Sequence, residues 1–315
     1  MEDIEVKCCL LNVQGLIGKG YNKLDSDEMK NILNKYDIVL LTETWSNDNF
    51  NYDIQNFTLF KLHRHNTVKG SKRSSGGVMI YVKNNLSRHV DFLKSSSDCV
   101  LWLKLDGSLF NLEKDVFLCL VYNIPVGSGR EIFVERNIFE ILTDDMIQFE
   151  NTYNNKCEFL ITGDFNARVS DLPDYTVDDQ TFLNELDILP NDYVQDVEIQ
   201  RANLDKKVNS NGHLLLDYCK ATGLRIVNGR VGQNKNIGKF TCVTSQGRST
   251  VDYVLCKSCL FDMFSHFEVD DPNIVSDHCI VSFHLKASIQ HSFNTNETMD
   301  GEDIIVPFRF DMEPC

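Results

Sequence analysis

Residues 159–168 read Phe-Leu-Ile-Thr-Gly-Asp-Phe-Asn-Ala-Arg, an apolar run that meets a glycine and then two polar side chains. The first four residues predict a buried strand, and Gly163 permits a tight turn after it. The turn presents Asp164 and Asn166 on one side, where the carboxylate can accept a proton from water and the amide can orient a phosphate oxygen. An ordinary Asx-rich turn is the alternative, but the position after an apolar strand favours a functional site.

The same layout, in which an apolar strand meets a polar residue, recurs in other parts of the chain. The residues concerned are Asn12 in Val6–Val13, Glu43 after Ile38–Leu41, Tyr122 in Val116–Tyr122, Asp252 in Val251–Cys256, and Asp277 with His278 before Ile280–Leu285. Ligands of α/β proteins collect where strands end, so these positions predict one pocket. Glu43 is a hard oxygen ligand that suits Mg²⁺. Asp252 can fix the tautomer of His278 and raise the basicity of its other ring nitrogen.

The apolar runs lack strict alternation, which is typical of strands that are covered on both faces. Helical spacing predicts helices from Met29 to Tyr36 after a capping Ser26 or Asp25, along Ile138–Phe149 after an opening at Arg130 and Glu131, and over 211–222 before Gly223. Strands and helices mix without a repeat, so we expect one α/β domain over residues 1–286. Residues 287–315 are polar and are predicted to form a flexible tail or connector.

Composition favours a packed intracellular protein. The 315 residues are 42% hydrophobic, the first residues are acidic rather than arranged as a secretion signal, and no apolar run reaches membrane-spanning length. We therefore expect a nuclear or cytoplasmic chain that is not secreted, has no membrane partner and is monomeric. The 11 cysteines lie mostly within apolar runs, as in a reducing compartment, and Cys256 and Cys259 are interpreted as packing at a strand end.

The net charge of −15 is unevenly distributed. Residues 60–94 hold eight Lys or Arg against one acid, residues 225–257 hold six against one, and residues 169–200 hold nine carboxylates without a basic residue. Solvated faces are the simpler explanation for any single lysine. As a set, the two basic segments are expected to face a polyanionic substrate and the acidic segment to face away. The histidines other than His278 are interpreted as structural or surface residues.

These motifs, in this order from Asn12 to His278, resemble the exonuclease III/deoxyribonuclease I superfamily of endonucleases, exonucleases and phosphatases. The resemblance covers about 85% of the chain and is specific as a set of motifs. It implies a four-layer α/β/β/α sandwich with two mixed β-sheets flanked by helices. Several segments are similar to the endonuclease domains of LINE-type non-LTR retrotransposons. They are Leu41–Trp45, Ser75–Val82, Asn211–Cys219 with Gly223–Asn228, and Phe240–Thr241 before Asp252–Tyr253.

The resemblance implies a Mg²⁺-dependent endonuclease, with Mn²⁺ as a second usable ion, that nicks DNA and leaves a 3′-hydroxyl and a 5′-phosphate. It assigns metal binding to Asn12, Glu43 and Asp277, and catalysis to Tyr122, Asp164, Asn166, Asp252 and His278. The basic residues expected to contact the substrate are Lys72, Arg73, Arg168, Lys235 and Lys239. In such proteins a reverse transcriptase accompanies the endonuclease domain, and these 315 residues contain none. We therefore expect an isolated, truncated or co-opted endonuclease domain, whose partner in a longer parent protein would be a reverse transcriptase.

Two departures from the superfamily pattern argue against specificity for abasic sites in DNA. Gln14 stands where the abasic-site enzymes usually have aspartate, and Tyr122-Asn-Ile-Pro125 is longer than their Tyr-x-Pro. Two alternatives stay open at this point. One is a phosphatase or phosphodiesterase that acts on inositol phosphates or sphingomyelin, and the other is a catalytically silent DNA-binding or protein-binding remnant.

Overall fold

The computed structural model describes residues 4–18, 20–47, 49–63, 76–93, 97–125, 127–128, 136–176 and 196–287. The strands are β1 Glu5–Asn12, β2 Ile17–Gly18, β3 Tyr21–Asn22, β4 Ile38–Thr42, β5 Phe57–Leu62, β6 Val78–Lys83, β7 Val90–Leu93, β8 Val100–Leu105, β9 Asp115–Tyr122, β10 Cys157–Asp164, β11 Leu224–Ile226, β12 Cys242–Thr244, β13 Gly247–Ser249, β14 Asp252–Lys257, β15 Phe264–Val269 and β16 Val281–Lys286. The helices are α1 Asp27–Lys35, α2 Asn84–Ser87, α3 Ile138–Thr152 and α4 Ser210–Thr222.

Two mixed sheets of six strands each form the centre of the described part of the chain. The first has the order β15-β16-β1-β4-β6-β5, and the second has the order β11-β14-β10-β9-β8-β7. The pairs β1–β4 and β9–β10 are parallel, and the other neighbours in these two sheets are antiparallel. The short pairs β2–β3 and β12–β13 form separate hairpins.

The central strands of each sheet are buried on both faces, as the apolar runs predicted. On β1, Val6, Cys8 and Leu10 pack between the sheets, whereas Cys9 and Leu11 pack beneath α1. The second sheet repeats this arrangement, with its outer face covered by α3 and α4. The result is the predicted four-layer α/β/β/α sandwich, because alternate residues of a strand point to opposite faces.

The helix boundaries follow their capping residues. Ser26 Oγ accepts from Met29 N at 3.2 Å and starts α1, while Gly223 ends α4 in the left-handed region at φ 71°. Helix α3 begins at Ile138, where Asn137 Oδ1 accepts from Phe139 N at 3.0 Å. Arg130 and Glu131, where the sequence placed the opening of this stretch, lie outside the described residues.

The described part of the chain contains no helix that is both long and apolar enough to cross a membrane. Its ten described cysteines are free thiols, and eight of them are buried. Cys256 is buried on β14, in agreement with packing at a strand end, whereas Cys259 is exposed in the 3₁₀ turn that follows, so that interpretation is wrong for Cys259. The polar tail from residue 288 onward lies outside the described residues.

Candidate active site

Three polar side chains lie side by side at one end of the second sheet. Asp164 on β10 is the register partner of Tyr122 on β9 and of Asp252 on β14. All three residues are buried. Gly163 lets β10 approach β9 closely, because a Cβ at that position would lie 2.0 Å from the Val121 carbonyl oxygen.

Asn12, at the end of β1, connects the first sheet to this row of side chains. Its side chain follows Cys8 and Leu10 on the face between the sheets, and it is fully buried. Asn12 Nδ2 donates to Asp164 Oδ2 at 2.8 Å and to Glu43 Oε1 at 3.1 Å. One amide therefore fixes two carboxylates, one from each sheet.

Gln14, Glu43 and Asn166, at or beside the strand ends, adopt left-handed backbone conformations. Their φ angles are 47°, 50° and 47°. By simple alternation Glu43 would follow Leu41 toward α1, but the positive φ turns its carboxylate to Asn12. Each such conformation costs about 1–3 kcal/mol, and strained residues of this kind cluster at active sites.

Gln14 extends this network to Asp277. Gln14 N donates to Asn12 Oδ1 at 3.0 Å, and Gln14 Oε1 accepts from Asp277 N at 3.3 Å. Gln14 Nε2 also donates to Asp277 Oδ2 at 3.5 Å. The exposed Asp277 and the half-buried Glu43 thus belong to one hydrogen-bonded row.

Asp252 and His278 form the predicted pair. Asp252 Oδ2 lies 2.8 Å from His278 Nδ1, and both side chains are buried. Thr241 holds the two partners together, since its Oγ1 accepts from Asp252 N at 3.0 Å and its carbonyl accepts from Cys279 N at 2.7 Å. The carboxylate therefore orients the imidazole ring, which Cys242 also contacts.

The charges of this buried group shift each other's proton affinity. Burial raises the pKa of Asp164 to about 7, and the nearby Asp252 adds to the effect. Burial opposes a charged imidazole at His278, but the attraction of Asp252 and its hydrogen bond outweigh burial and raise the pKa of that histidine. The imidazolium is therefore favoured, and Asp164 titrates close to neutral pH.

The loop after Asp164 is tied to its neighbours. Asn166 Nδ2 donates to the Asn123 carbonyl at 2.8 Å and to Asp164 Oδ2 at 3.2 Å. At the start of α4, Asn209 Nδ2 donates to the Asn166 carbonyl at 3.0 Å. These bonds hold the left-handed turn that presents Asp164.

The donor set fits a hard divalent cation. The accessible donors Glu43 and Asp277 are carboxylates, and among the described residues the buried Asp252 Oδ1 has no hydrogen-bond partner. Asp164, Asp252 and His278 also bring potential ligand atoms within 4.8 Å of one another. Of these groups, the half-buried Glu43 and the exposed Asp277 are the ones that solvent reaches.

Two of the five predicted substrate-binding residues are bound by other parts of the fold. Arg168 makes a two-pronged ion pair with the buried Asp205 at 2.7 and 2.5 Å, and Lys239 Nζ donates to the Val269 carbonyl at 3.1 Å. Lys235 is exposed. Lys72 and Arg73 lie outside the described residues.

The expectation that residues 225–257 face the substrate as a set is wrong for two arginines. Arg225 and Arg230 are buried, where they pair with Asp196 and Asp174. A buried guanidinium requires a carboxylate partner, so part of the acidic segment serves the fold.

Sequence reasoning did not assign a site role to Gln14, Thr241 or Lys23. The half-buried Lys23 donates through Nζ to the carbonyls of Val13 and Val275, and so joins the backbone beside Asn12 to that before Asp277. Thr241 lies in a motif that resembles the retrotransposon domains, whereas no local pattern marks Lys23.

Comparison with known proteins places the chain in a family. The profile described as the endonuclease/exonuclease/phosphatase family matches residues 9–278. A search of curated proteins gave no match.

Solved structures share the fold at low sequence identity. The endonuclease domain of TRAS1, a telomere-specific non-LTR retrotransposon, is 16% identical with a TM-score of 0.52, and the match covers 90% of this chain and 99% of that domain. The AP endonuclease LMAP from Leishmania major is 15% identical with a TM-score of 0.62 and coverages of 90% and 88%. The 3′-5′ exonuclease NExo from Neisseria meningitidis is 16% identical with a TM-score of 0.54 and coverages of 89% and 99%.

The sandwich, the acidic strand ends and the profile match together define a class of metal-dependent hydrolases that includes nucleases and phosphatases. The chain belongs to the endonuclease/exonuclease/phosphatase family.

Proposed function

We propose that the chain is a Mg²⁺-dependent endonuclease that nicks DNA, leaves a 3′-hydroxyl and a 5′-phosphate, and derives from a non-LTR retrotransposon. The observation that carries the proposal is the meeting of Asn12, Glu43 and Asp164 from two sheets beside the Asp252–His278 pair. The sequence motifs and the fold shared with the TRAS1 endonuclease domain support DNA as the substrate.

The side chains divide the work of hydrolysis between them. Asp164, with a pKa near neutrality, accepts the proton of the attacking water. Asn166 orients Asp164 and can exchange one of its hydrogen bonds for a phosphate oxygen. The His278 imidazolium, held by Asp252, stabilises the negative charge that develops on the phosphate, and Tyr122 contacts the same group.

Glu43 and Asp277 would hold the metal, with Asn12 and Gln14 orienting them. When bound, Mg²⁺ supplies Lewis-acid stabilisation of the phosphate and of the departing 3′-oxygen. The exposed Lys235 is proposed to contact a backbone phosphate, as are Lys72, Arg73 and Lys239. For Arg168 the same role requires release from Asp205.

A plasmid assay tests this proposal. The purified chain should convert supercoiled plasmid with Mg²⁺ to nicked circles that DNA ligase reseals, because ligase requires a 3′-hydroxyl and a 5′-phosphate. Asp164→Ala and His278→Ala should abolish nicking, whereas Asp217→Ala, at an exposed position of α4, should not. Equal nicking by all four proteins, or none by the unmodified chain, would refute the proposal.

A DNA 3′-end activity is the second candidate, because one protein of the same fold is a 3′-5′ exonuclease. Supercoiled plasmid has no ends and resists such an enzyme. Shortening of a labelled linear duplex without plasmid nicking would select this second function. Release of inorganic phosphate from inositol phosphates without cleavage of either DNA would select a phosphatase.

A further inference from the structure

The outer face of the first sheet carries a second group of metal-capable side chains. On β16, Val281, Phe283 and Leu285 pack between the sheets, so Ser282 and His284 point to the opposite face. His284 is the register partner of Lys7 on β1, five residues before Asn12. The group is thus about 16 Å along the strand from the candidate active site, on the other face of the sheet.

Two imidazoles face each other in this group. His266 on β15 and His284 on β16 are register partners, and their ring centroids lie 4.5 Å apart with a tilt of 31°. Their side chains keep exposed fractions of 24% and 16%, so solvent reaches both rings. Two histidines that face each other on neighbouring strands are close enough for one nitrogen of each ring to bind the same metal ion.

Glu5 orients one of these rings. Its Oε2 lies 3.0 Å from His284 Nδ1, which places the proton on Nδ1 and the lone pair on Nε2. Histidines that bind metals usually donate their other ring N–H to a carboxylate in this way. The Glu5–His284 contact therefore prepares Nε2 as a ligand.

Further oxygen atoms surround His266. Glu268 Oε2 lies 3.9 Å from His266 Nε2, and Ser282 Oγ lies 3.4 Å from the same nitrogen. Lys239 Nζ approaches Glu268 Oε1 at 3.7 Å, so this carboxylate is shared with a surface cation. A rotation of the Glu268 side chain would add an oxygen ligand to the two imidazoles.

We propose that His266 and His284, oriented by Glu5, form a second metal site that binds a late first-row divalent ion such as Ni²⁺, Cu²⁺ or Zn²⁺. Imidazole favours these ions, whereas the carboxylates of the active site favour Mg²⁺. The inference does not depend on the proposed endonuclease activity, because its ligands lie outside that site.

Calorimetric titration of the full chain with Ni²⁺, in excess Mg²⁺, tests the site. One binding event should weaken about ten-fold or more in Glu5→Gln and disappear in His266→Ala and in His284→Ala. His213→Ala, at an exposed histidine on α4, should titrate like the unmodified chain. Identical titrations of all the variants would overturn the proposal.

Electron paramagnetic resonance with Cu²⁺ gives a second measurement that does not depend on the folding of a variant. With less than one equivalent of Cu²⁺, the unmodified chain should show hyperfine coupling from two imidazole nitrogens. A spectrum with coupling from one nitrogen or none would overturn the proposal.

Discussion

Asn12 Nδ2 donates to Asp164 Oδ2 at 2.8 Å, and this hydrogen bond joins two residues 152 positions apart in the sequence and in different sheets. The same amide also holds Glu43. This hydrogen bond therefore fixes the position of one sheet relative to the other at the point where the reaction is proposed to occur.

Asn12→Asp should lower the rate of plasmid nicking about 100-fold. The substitution keeps the shape of the side chain but replaces the donor with a third carboxylate, which repels Asp164 and Glu43. Asn155→Asp, at an exposed turn position, is the matched control. A rate for Asn12→Asp equal to that of the control would show that the link between the sheets is dispensable.

The pH dependence of stability should reveal the buried Asp164. Burial and Asp252 raise its pKa to about 7, from about 4 in the unfolded chain. Between those values the native state holds a proton that the unfolded state lacks, so this contribution is full below pH ~4 and is lost as the pH rises through about 7. In urea unfolding without divalent ions, the parent should lose stability relative to Asp164→Asn as the pH rises over that window, because asparagine does not titrate. A difference independent of pH would contradict the raised pKa.

Arg168→Ala should lower the free energy of unfolding by about 3 kcal/mol, because it leaves the buried Asp205 without its charged partner. Lys235→Ala should change the free energy by no more than about 0.5 kcal/mol and should instead raise the KM for plasmid. Denaturant titration measures the loss of stability and nicking kinetics measure the change in KM, so together they distinguish a structural role from a substrate contact. If Arg168→Ala changed only KM, the residue would be a substrate contact, as the sequence suggested.

Gln14→Asp should lower the Mg²⁺ concentration needed for half-maximal nicking, because it adds an oxygen anion to the row that contains Asp277. Gln14→Glu, with the longer side chain, is the comparison. An unchanged or higher Mg²⁺ requirement for Gln14→Asp would place the metal away from this row.

Asp174→Ala should lower the free energy of unfolding by about 3–5 kcal/mol, because it leaves the buried Arg230 without its carboxylate partner. Asp171→Ala removes an exposed carboxylate that pairs with Lys206 and should cost about 1 kcal/mol or less. Denaturant titration of both variants measures the difference. Equal losses of stability would contradict the structural role of the buried pair.

The sequence predicted the six strands that carry the candidate site to within two residues at either end. Continuous apolar runs are a local signal, and strands buried on both faces carry it strongly. The half-exposed β5 and the short β7 and β11 lack such runs, so their pairing partners decided their conformation. The cap of α3 at Asn137 was missed because several polar residues near that end of the helix could have served as the cap.

The sequence alone determined the chemistry that is available: carboxylates, amides and a histidine at the ends of apolar strands, in an order that resembles a known superfamily. Tertiary structure decided which of these groups meet, because hydrogen bonds such as Asn12–Asp164 and Asp252–His278 join distant segments that only the packing of two sheets brings together. It also decided which charges are used by the fold. Arg168, Arg225 and Arg230 read like substrate contacts in the sequence, but each guanidinium pairs with a carboxylate, since a buried charge is stable only beside its counterion.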